Sequence, residues 1–403
     1  MERITPDEAI EKLLAVPVSP RIETVPLAEA VGRVLGSDVT ARLAVPAFDR
    51  SPFDGYAFRG EDTAGASKEH PVTLSITEEI PAGTVPTMPV GPGQAAKILT
   101  GGPLPAGANT TVKYEETEFG PDAVKIFAPC TPWTNVARAG EDVAPGQILA
   151  NAGDVLDPAI AGLLAGQGFT EVSVYARPRV AVLSTGSELL EPGQPWEPGK
   201  IYNTNTVYIT ALLRRHGIDA VEVGTVADDL AAIAGRILEA LGESDMVITT
   251  GGASVGDYDW ARRAVDAIGG ELLFWKFAQK PGGSCLAAVK DGKLLLSLSG
   301  SPGAAALTLL RVGFPFLRKL CGRSDLLPET FTAVMAKPYG KKTKMSRVLR
   351  GHLAFAEGKV YFHHHEGDGN GILSSLAGCD ALGLVPENSP AIPAGEMIEV
   401  FRV

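Results

Sequence analysis

Three stretches of the chain repeat one pattern, in which an apolar run leads directly into a turn of Gly, Ser and Thr and then into a helical pattern. The runs begin at Val180, Met246 and Leu294. Continuous apolar runs are typical of strands that are buried on both faces of a parallel sheet. The turns then fall at the carboxyl edge of that sheet, where backbone N–H groups and helix N-termini bind anions. The pattern therefore predicts an α/β domain that binds a phosphate- or oxyanion-bearing ligand.

The N-terminal part of the chain has helix signals. Thr5 to Glu8 forms a capping box with a first-turn proline, and a second short helix is predicted over Leu27 to Leu35. Asp157 and Pro158 open a further helix that continues through Leu164. The sequence therefore predicts a helical layer that is interrupted by the residues between these helices.

The remaining segments have β patterns. Short β-prone runs alternate with Pro and Gly from Val45 to Arg138, which predicts a small all-β insertion. Four further β-prone runs follow Pro328 and predict a compact barrel or sandwich.

The fold class predicted is α/β and β multidomain, with a doubly wound α/β ligand domain, a helical layer with an inserted small β domain, and a C-terminal β-barrel. The predicted domains are a helical part, a β insertion, an α/β domain and a barrel, at residues 1–45 plus 139–176, 46–138, 177–326 and 327–403.

Composition narrows the function classes. The 403 residues are 45% hydrophobic and carry a formal net charge of −11, which weighs against nucleic-acid and anionic-membrane binding. The four cysteines form no metal-type pair, so free thiols in a reducing compartment are expected. The longest uncharged stretch, residues 294–310, is broken by Ser, Gly and Pro, so no membrane span is expected. These features predict a cytoplasmic protein.

The segment Thr249 to Asp257 is the most specific of the three turns. Its glycines and hydroxyls offer many donors, and Asp257 and Asp259 can hold a divalent cation that bridges phosphates. The alternative is a tight turn with Asp257 as a helix cap. Glu188, in the first turn, is either a cation or ligand contact or an acid favoured by the helix dipole. The residues of the three turns predicted to bind the ligand are Thr185, Gly186, Thr250, Gly251, Gly252, Ser254, Gly256, Ser299 and Gly300.

Two lysines precede a Pro-Gly turn. Lys276 and Lys280 are spaced so that both lie on one face of a strand, where they can bind phosphates or an oxyanion, with Gly282 in the turn beside them. The alternative is a solvated sheet edge.

Other segments suggest structural roles from their residues alone. Asp54 and Gly55 are typical of a hairpin turn, Thr100 begins a rigid Gly- and Pro-rich loop, and Asp228 is predicted to cap a helix. The run His363 to His365 alternates between the faces of a strand, so these side chains do not converge on a metal.

Several of these segments in order resemble the molybdopterin molybdenumtransferase family, which comprises the MoeA proteins and the C-terminal domain of gephyrin. The motifs are Asp-Gly-Tyr-Ala at 54, Thr-Gly-Gly-Pro-Leu-Pro-Ala-Gly at 100, Gly-Glu-Asp-Val at 140, Pro-Arg-Val-Ala-Val-Leu-Ser-Thr-Gly at 178, Thr-Thr-Gly-Gly-Ala-Ser-Val-Gly-Asp at 249, Lys-Pro-Gly at 280 and Ala-Gly-Glu at 394. The resemblance extends over essentially the whole chain.

The resemblance implies a function in molybdenum cofactor biosynthesis. It implies a transferase that inserts molybdate or tungstate into molybdopterin-AMP, releases AMP and uses Mg²⁺. It also implies a homodimer, with other molybdenum-cofactor biosynthesis proteins as further partners. Asp54, Asp142, Glu188 and Asp228 fall on positions that the family uses in its catalytic cleft, as do Thr100, Lys276, Lys280 and Asp257.

The chain departs from the family pattern within the α/β part. Ser187 stands where the family usually has Asp, Asn203 and Asn205 lie in a segment that is usually Asp-Ser-Asn, and Gly283-Ser284 replaces Lys-Pro. Leu298 to Pro302 is likewise altered. These departures leave open an alternative function as a non-catalytic molybdopterin-binding carrier or assembly scaffold.

Overall fold

The computed structural model describes residues 4–252, 260–367 and 369–403 of the chain. It divides into two compact units. The main unit comprises Met1–Ser37, Ala152–Asp157 and Glu171–Val403, and the inserted unit comprises Asp38–Asn151 and Pro158–Thr170.

Seven α-helices lie in the described residues. They are α1 Pro6–Leu14, α2 Pro158–Gly166, α3 Thr204–Arg215, α4 Leu230–Glu243, α5 Trp260–Ala267, α6 Pro302–Thr308 and α7 Phe314–Leu320. A π-helical turn, Leu309–Gly313, joins α6 to α7. Short 3-10 turns span Leu27–Glu29, Gly60–Thr63, Tyr114–Glu116 and Ser374–Leu376.

The strands are numbered in chain order. The first ten are β1 Ile22–Pro26, β2 Val39–Thr40, β3 Gly55–Phe58, β4 Val72–Ile80, β5 Gln94–Ile98, β6 Thr110–Lys113, β7 Thr117–Phe119, β8 Ala123–Ile126, β9 Ile148–Ala150 and β10 Glu171–Tyr175. The next nine are β11 Arg179–Thr185, β12 Leu189–Leu190, β13 Ile201–Tyr202, β14 Asp219–Val226, β15 Met246–Thr250, β16 Glu271–Trp275, β17 Gln279–Lys280, β18 Leu286–Lys290 and β19 Lys293–Leu298. The last five are β20 Thr330–Met335, β21 Ser346–Ala356, β22 Lys359–His364, β23 Ala381–Val385 and β24 Met397–Arg402.

The helix signals at the N-terminus are confirmed in part. Thr5 caps α1 and forms the predicted capping box with Glu8. The predicted helix over Leu27 to Leu35 is wrong, because only the 3-10 turn Leu27–Glu29 forms. Its neighbours instead make β bridges, Val34 with Val155 and Leu35 with Val174, so tertiary pairing overrides the local preference.

The inserted unit contains a six-stranded sheet in the order β6-β3-β5-β4-β8-β7. Its apolar side chains form two clusters of buried residues, one around Tyr56, Phe58 and Leu74 and the other around Ile80 and Ile98. This sheet confirms the β character that was predicted for the segment.

The main unit contains the predicted α/β sheet, in the order β14-β11-β15-β19-β18-β16. The strands β14, β11, β15 and β19 are parallel, whereas β18 runs antiparallel to both of its neighbours. Alternate residues pack on opposite faces, since Val180 and Val182 belong to one apolar cluster and Ala181 and Leu183 to another. The first cluster includes residues of α1, α3, α6 and α7, and the second includes residues of α4 and α5, as in a doubly wound fold.

The C-terminal part of the main unit is a closed barrel. The strands β21, β22, β20, β24 and β23 pair in sequence, and a β21–β23 pairing closes the ring. Closure removes unpaired sheet edges, and the interior is filled by Phe362, Val400 and their neighbours. Among the described residues, none of the helices has the length and hydropathy that crossing a bilayer requires.

Candidate functional site

The strand ends that lead into the three Gly-rich turns lie side by side at one edge of the main sheet. Because β11, β15 and β19 are adjacent and parallel, Thr185, Thr250 and Leu298 are the last residues of neighbouring strands. The strand β16 runs in the same direction as β19, since β18 between them is antiparallel to both, so Lys276 leaves the sheet at this edge too. The prediction that these strands end at one common edge of the sheet is therefore confirmed.

Glycine is required where these turns approach each other. Gly251 has φ +92°, and a Cβ atom there would lie 2.2 Å from the carbonyl oxygen of Thr185. A Cβ atom on Gly300 would lie 3.4 Å from the Cα atom of Gly251. Any larger side chain at Gly251 would force the ends of β11 and β15 apart.

A network of buried hydroxyl groups connects the ends of β11 and β15 to the start of α3. The Ser184 hydroxyl lies 2.9 Å from the hydroxyls of both Thr206 and Thr250, and it donates to Asn203 Oδ1 at 3.2 Å. Thr250 is 2% exposed, and its hydroxyl takes part in this network. Asn203 also caps α3 by accepting from the Thr206 N–H.

One cavity at this edge has acidic side chains. Its volume is about 450 Å³, and we call it the acidic half of the cleft. Its lining includes Thr185, Gly186, Glu188, Asp228, Gly251, Gly252, Trp260, Ser284, Ser299, Gly300, Ser301 and Asn370. The Glu188 carboxylate lies against the backbone of Gly186, where a Cβ atom would be 2.6 Å from its Oε2.

Asp228 does not cap a helix, and this prediction was wrong. The N-cap of α4 is Asp229, whose carboxylate accepts from the Ala232 N–H at 2.8 Å. Asp228 Oδ2 instead accepts from the Ser187 N–H at 3.2 Å, and the Ser187 hydroxyl accepts from the Asp228 N–H at 3.2 Å. Asp229 serves as the cap, and Asp228 is among the residues that line the acidic half of the cleft.

The adjacent cavity has basic side chains, and we call it the cationic half of the cleft. Its volume is about 320 Å³. Its lining comprises Lys276, Phe277, Gln279, Lys280, Pro281, Gly282, Gly283, Ser284, Ser299, Ala304, Met345 and Asn370. The two halves share Ser284, Ser299 and Asn370, so they form one continuous cleft.

The two lysines meet there for a different reason from the one predicted. Lys276 has φ +67° just after β16, and Lys280 belongs to β17, which pairs with β21 of the barrel. The prediction that both lie on one face of a strand was therefore wrong. A loop brings them to one cavity, and the Lys276 Nζ atom lies 4.3 Å from the centroid of the Trp275 ring.

Asn370 is a cleft residue that the sequence reasoning missed. It lies between β22 and β23, and its backbone carbonyl oxygen accepts from the Ala304 N–H at 2.9 Å. Arg350, which is 2% exposed, holds the same segment by donating to the Ile372 carbonyl at 2.7 Å and to the Gly369 carbonyl at 3.2 Å. A Gly-Asn-Gly sequence is typical of a turn, so the pattern held no signal for a site.

Three predicted site residues belong to the inserted unit. Asp54 Oδ1 accepts from both the N–H and the hydroxyl of Thr100 at 2.7 Å, and these hydrogen bonds lower the pKa of the Asp54 carboxyl. Asp142 lies in a turn and its N–H donates to the Val45 carbonyl at 3.0 Å. The hairpin predicted at Asp54 is wrong, because Gly55 starts β3, which pairs with β5 and β6.

Four of the predicted ligand- or metal-binding residues, Ser254, Gly256, Asp257 and Asp259, lie outside the described residues. Within the residues described, no group of three or more His, Cys, Asp or Glu side chains is arranged to hold a metal ion. His363 stacks on His352 from the neighbouring strand, with ring centroids 4.9 Å apart.

The chain is a multidomain α/β protein with a cleft at the carboxyl edge of its main sheet, and this cleft has a basic half and an acidic half. Three protein-family models match the chain. They are the MoeA N-terminal region (domains I and II) at residues 4–168, a "probable molybdopterin binding domain" at residues 181–319, and the MoeA C-terminal region (domain IV) at residues 332–403.

Curated proteins and solved structures agree with these matches. The chain is 37% identical over 391 residues to molybdopterin molybdenumtransferase 2 of Mycobacterium tuberculosis, covering 94% of each chain. It is 32% identical over 404 residues to the molybdopterin molybdenumtransferase of Staphylococcus epidermidis, covering 100% of this chain and 96% of the relative. A crystal structure of the molybdopterin biosynthesis MoeA protein of Pyrococcus horikoshii superposes with a TM-score of 0.86 at 29% identity, covering 100% of both chains.

The chain therefore belongs to the molybdopterin molybdenumtransferase (MoeA) family, whose members are transferases of molybdenum cofactor biosynthesis. The resemblance inferred from the motifs is confirmed.

Proposed function

We propose that this protein inserts molybdate or tungstate into adenylylated molybdopterin and releases AMP. The observation that carries the proposal is the two-sided cleft, with Lys276 and Lys280 in one half and Glu188 and Asp228 in the other. The phosphates of adenylylated molybdopterin and the oxyanion are both negatively charged. The lysines can neutralise part of this charge directly, and a cation held by the two carboxylates can neutralise the rest.

The cationic half supports binding of the oxyanion or of a phosphate group. Lys280 and Lys276 supply ammonium groups, and Ser284 and Ser299 supply hydroxyls at the boundary between the halves. Cleavage of a phosphate anhydride depends on charge neutralisation and on an oriented acceptor more than on a protein nucleophile. In this proposal the lysines hold the oxyanion beside the anhydride, and one of its oxygens attacks the phosphorus of the molybdopterin phosphate. The new P–O bond replaces the P–O bond to AMP, and AMP leaves with the bridging oxygen.

The acidic half fits Mg²⁺ by its donor set. Mg²⁺ is commonly bound by one or two carboxylates together with substrate phosphates and several waters, and Glu188 and Asp228 are two carboxylates in one cavity. When bound there, the cation would neutralise charge on the phosphates. Glu188 and Asp228 would hold it, and the Ser187 N–H would keep the Asp228 carboxylate oriented.

We propose that the protein works as a homodimer in which Asp54, Thr100 and Asp142 of one copy serve the cleft of the other. Support comes from helix α2 of the inserted unit, which has the sequence Pro-Ala-Ile-Ala-Gly-Leu-Leu-Ala-Gly and no charged residue. Leu164 is its one buried residue, and Leu163 is 36% exposed. An uncharged helix that leaves apolar side chains exposed is typical of a surface that pairs with another protein.

We also propose that the protein is cytoplasmic. The support is that Cys130, Cys285, Cys321 and Cys379 are all free thiols, which is the usual state in a reducing compartment.

The test is AMP release. Purified protein is incubated with adenylylated molybdopterin, Mg²⁺ and either molybdate or tungstate, beside an established member of the family. AMP release that requires an oxyanion is expected. Tight binding of molybdopterin without AMP release from either oxyanion would select the carrier or scaffold function instead.

The dimer is tested separately by the molar mass in solution. A dimer mass at micromolar concentration is expected, and Leu163→Glu on α2 should shift it toward the monomer because it buries a charge in the interface. A monomer mass for the wild type, with ligand affinity intact, would contradict the homodimer.

A further inference from the structure

The helix behind the cationic half is interrupted by a π-helical turn, Leu309–Gly313. The Phe314 N–H donates to the Leu309 carbonyl five residues earlier, and Pro315 follows in α7. Proline has no N–H, so it cannot donate to the Arg311 carbonyl as an α-helix requires. This accounts for the wider turn, and single π turns within helices are frequent at functional sites.

Arg311 lies in this turn and is largely buried. Its side chain is 13% exposed, and its Nη1 atom donates to Gln279 Oε1 at 3.1 Å. Asp7 is 3.9 Å away, but its own side chain is 82% exposed. Burial lowers the pKa of Arg311, which reflects the cost of keeping its charge out of water. The closest partner of this charge is therefore the neutral amide of Gln279.

Gln279 connects Arg311 to the loop that contains Lys280. It is 2% exposed, and its Nε2 atom donates to the Pro281 carbonyl at 2.9 Å. Because a guanidinium can only donate, Arg311 fixes Gln279 with Oε1 toward itself and Nε2 toward Pro281. The backbone of Gln279 also accepts from the Gly283 N–H at 3.2 Å.

A second side chain of the same helix holds the other end of the loop. The Thr308 hydroxyl donates to the Gly282 carbonyl at 2.7 Å. Gly282 has φ +100°, and a Cβ atom there would lie 2.3 Å from Thr308 Oγ1. The backbone is therefore held immediately before Lys280, at Gln279, and immediately after it, at Pro281 and Gly282.

We propose that Arg311 is a positioning residue that, through the Gln279 amide, fixes the loop presenting Lys280 to the ligand. This inference rests on the proposed function of the cleft. Arg311 acts through Gln279 and not through the ligand, so its loss should weaken oxyanion binding only as far as Lys280 takes part in it.

The experiment is a double-mutant cycle on the full-length protein. Arg311→Met and Lys280→Ala are made singly and together, and the Kd for tungstate, the KM and kcat for AMP release and the thermal midpoint are measured for each. Arg311→Met should raise the Kd and the KM roughly two- to 150-fold, the range for residues coupled through one hydrogen-bond network. In the Lys280→Ala background the same substitution should have little further effect on the Kd.

Arg318→Met is the matched control. Arg318 lies on α7 with its side chain 25% exposed, and it donates to the carbonyls of Asp325 and Leu327. This variant should lower the thermal midpoint without raising the Kd. Arg311→Lys serves as a second variant if Arg311→Met does not fold, and by keeping the charge and one donor it should restore part of the affinity.

Two outcomes would overturn the proposal. One is an equal effect of Arg311→Met with and without Lys280, and the other is an equal rise in Kd for Arg318→Met. Failure of the proposed function has a different signature. In that case no AMP is released, while the tungstate cycle still decides the coupling. If Lys280→Ala leaves the tungstate Kd unchanged, Lys280 has no part in the site and the positioning role falls with it.

Discussion

The two halves of the cleft are built in different ways. The acidic half is assembled from the ends of parallel strands that are far apart in the chain, at residues 185–188, 228, 251–252 and 299–301. The cationic half comes mainly from one continuous loop, residues 276–284, which side chains of the neighbouring helix hold in place. Sheet geometry therefore brings the acids together, with Asp228 also held by Ser187, whereas side-chain hydrogen bonds hold the loop around Lys280.

This difference has consequences for mutation. The acidic half should be most sensitive to changes in the backbone where strands approach closely, and the cationic half to changes in single side chains. The formal net charge of −11 strengthens the second expectation, because the general field of the protein cannot replace a lost lysine.

The largest effect is expected from Gly251→Ala, which tests how the backbone builds the acidic half of the cleft. A Cβ atom at φ +92° and 2.2 Å from the Thr185 carbonyl oxygen should destabilise the protein by about 3–5 kcal/mol, from strain and overpacking combined. Chemical denaturation measures the free energy of unfolding. Gly235→Ala in α4, where a Cβ atom meets nothing within 4 Å, is the control and should stabilise by up to about 1 kcal/mol. Equal stability of the two variants would refute the close-approach argument.

The second-largest effect is expected from Lys280→Ala, which tests the cationic half of the cleft. Loss of a charge-assisted hydrogen bond should weaken oxyanion binding by about 1.5–3 kcal/mol, with an unchanged thermal midpoint. Calorimetric titration with tungstate measures it, and Lys290→Ala at the far end of β18 should leave the affinity unaltered. Unchanged affinity in Lys280→Ala would make Lys280 a solvated edge residue.

A smaller effect is expected from Glu188→Gln and Asp228→Asn. Each removes one carboxylate from a pair, so each should raise the Mg²⁺ concentration for half-maximal AMP release about tenfold, or about 1.4 kcal/mol. The Kd for tungstate without Mg²⁺ should not rise, because the lysines of the other half supply that contact. Glu239→Gln on the outer surface of α4 is the control. A rise in the tungstate Kd without any change in the Mg²⁺ requirement would contradict the assignment of Mg²⁺ to the acidic half and of the oxyanion to the cationic half.

The smallest effect is expected at His216, outside the cleft. Burial, together with Arg215, Arg318 and Arg323, lowers the pKa of His216 to about 4. Since the unfolded chain binds the proton at a pKa of about 6.5, stability should fall as the pH falls from about 6.5 toward 4. Because His216 is only partly buried and keeps an exposed surface, solvent screens the effect, and we expect a loss below about 1 kcal/mol.

Thermal melts at pH 7.5 and pH 5 measure this loss, and His216→Gln should reduce the difference between them. The ratio of oxyanion to Mg²⁺ affinity should be the same in both proteins. A His216→Gln variant with the full pH dependence would assign the effect to other groups.

Much of the fold could be predicted because its signals are local. The apolar runs at Val180, Met246 and Leu294 are strands β11, β15 and β19. Two of the four β-prone runs after Pro328, those that start at Phe331 and Met397, lie within β20 and β24. The continuous apolar runs also predict strands covered on both faces, as β11, β15 and β19 are. The strand β23 was missed, because Ala381–Val385 is short and interrupted by Gly383.

The errors at the site have one physical cause. The spacing of Lys276 and Lys280 predicts one shared strand, but Lys276 directly follows β16 whereas Lys280 belongs to β17, which pairs with the barrel. Asp228 and Asp229 are equally good caps by sequence, and only the contact of Ser187 with Asp228 distinguishes them. Long-range contacts of this kind leave no trace in local spacing.

The sequence by itself determined which segments become strands, which turns must contain glycine and which residue types can bind an anion, because these depend on local sterics and chemistry. Only the tertiary structure decided that Asn370 reaches the cleft, that Asp228 lines it and that Arg311 braces the loop of Lys280. Those choices depend on which elements pack together, and packing is set by the whole buried surface and not by any single segment.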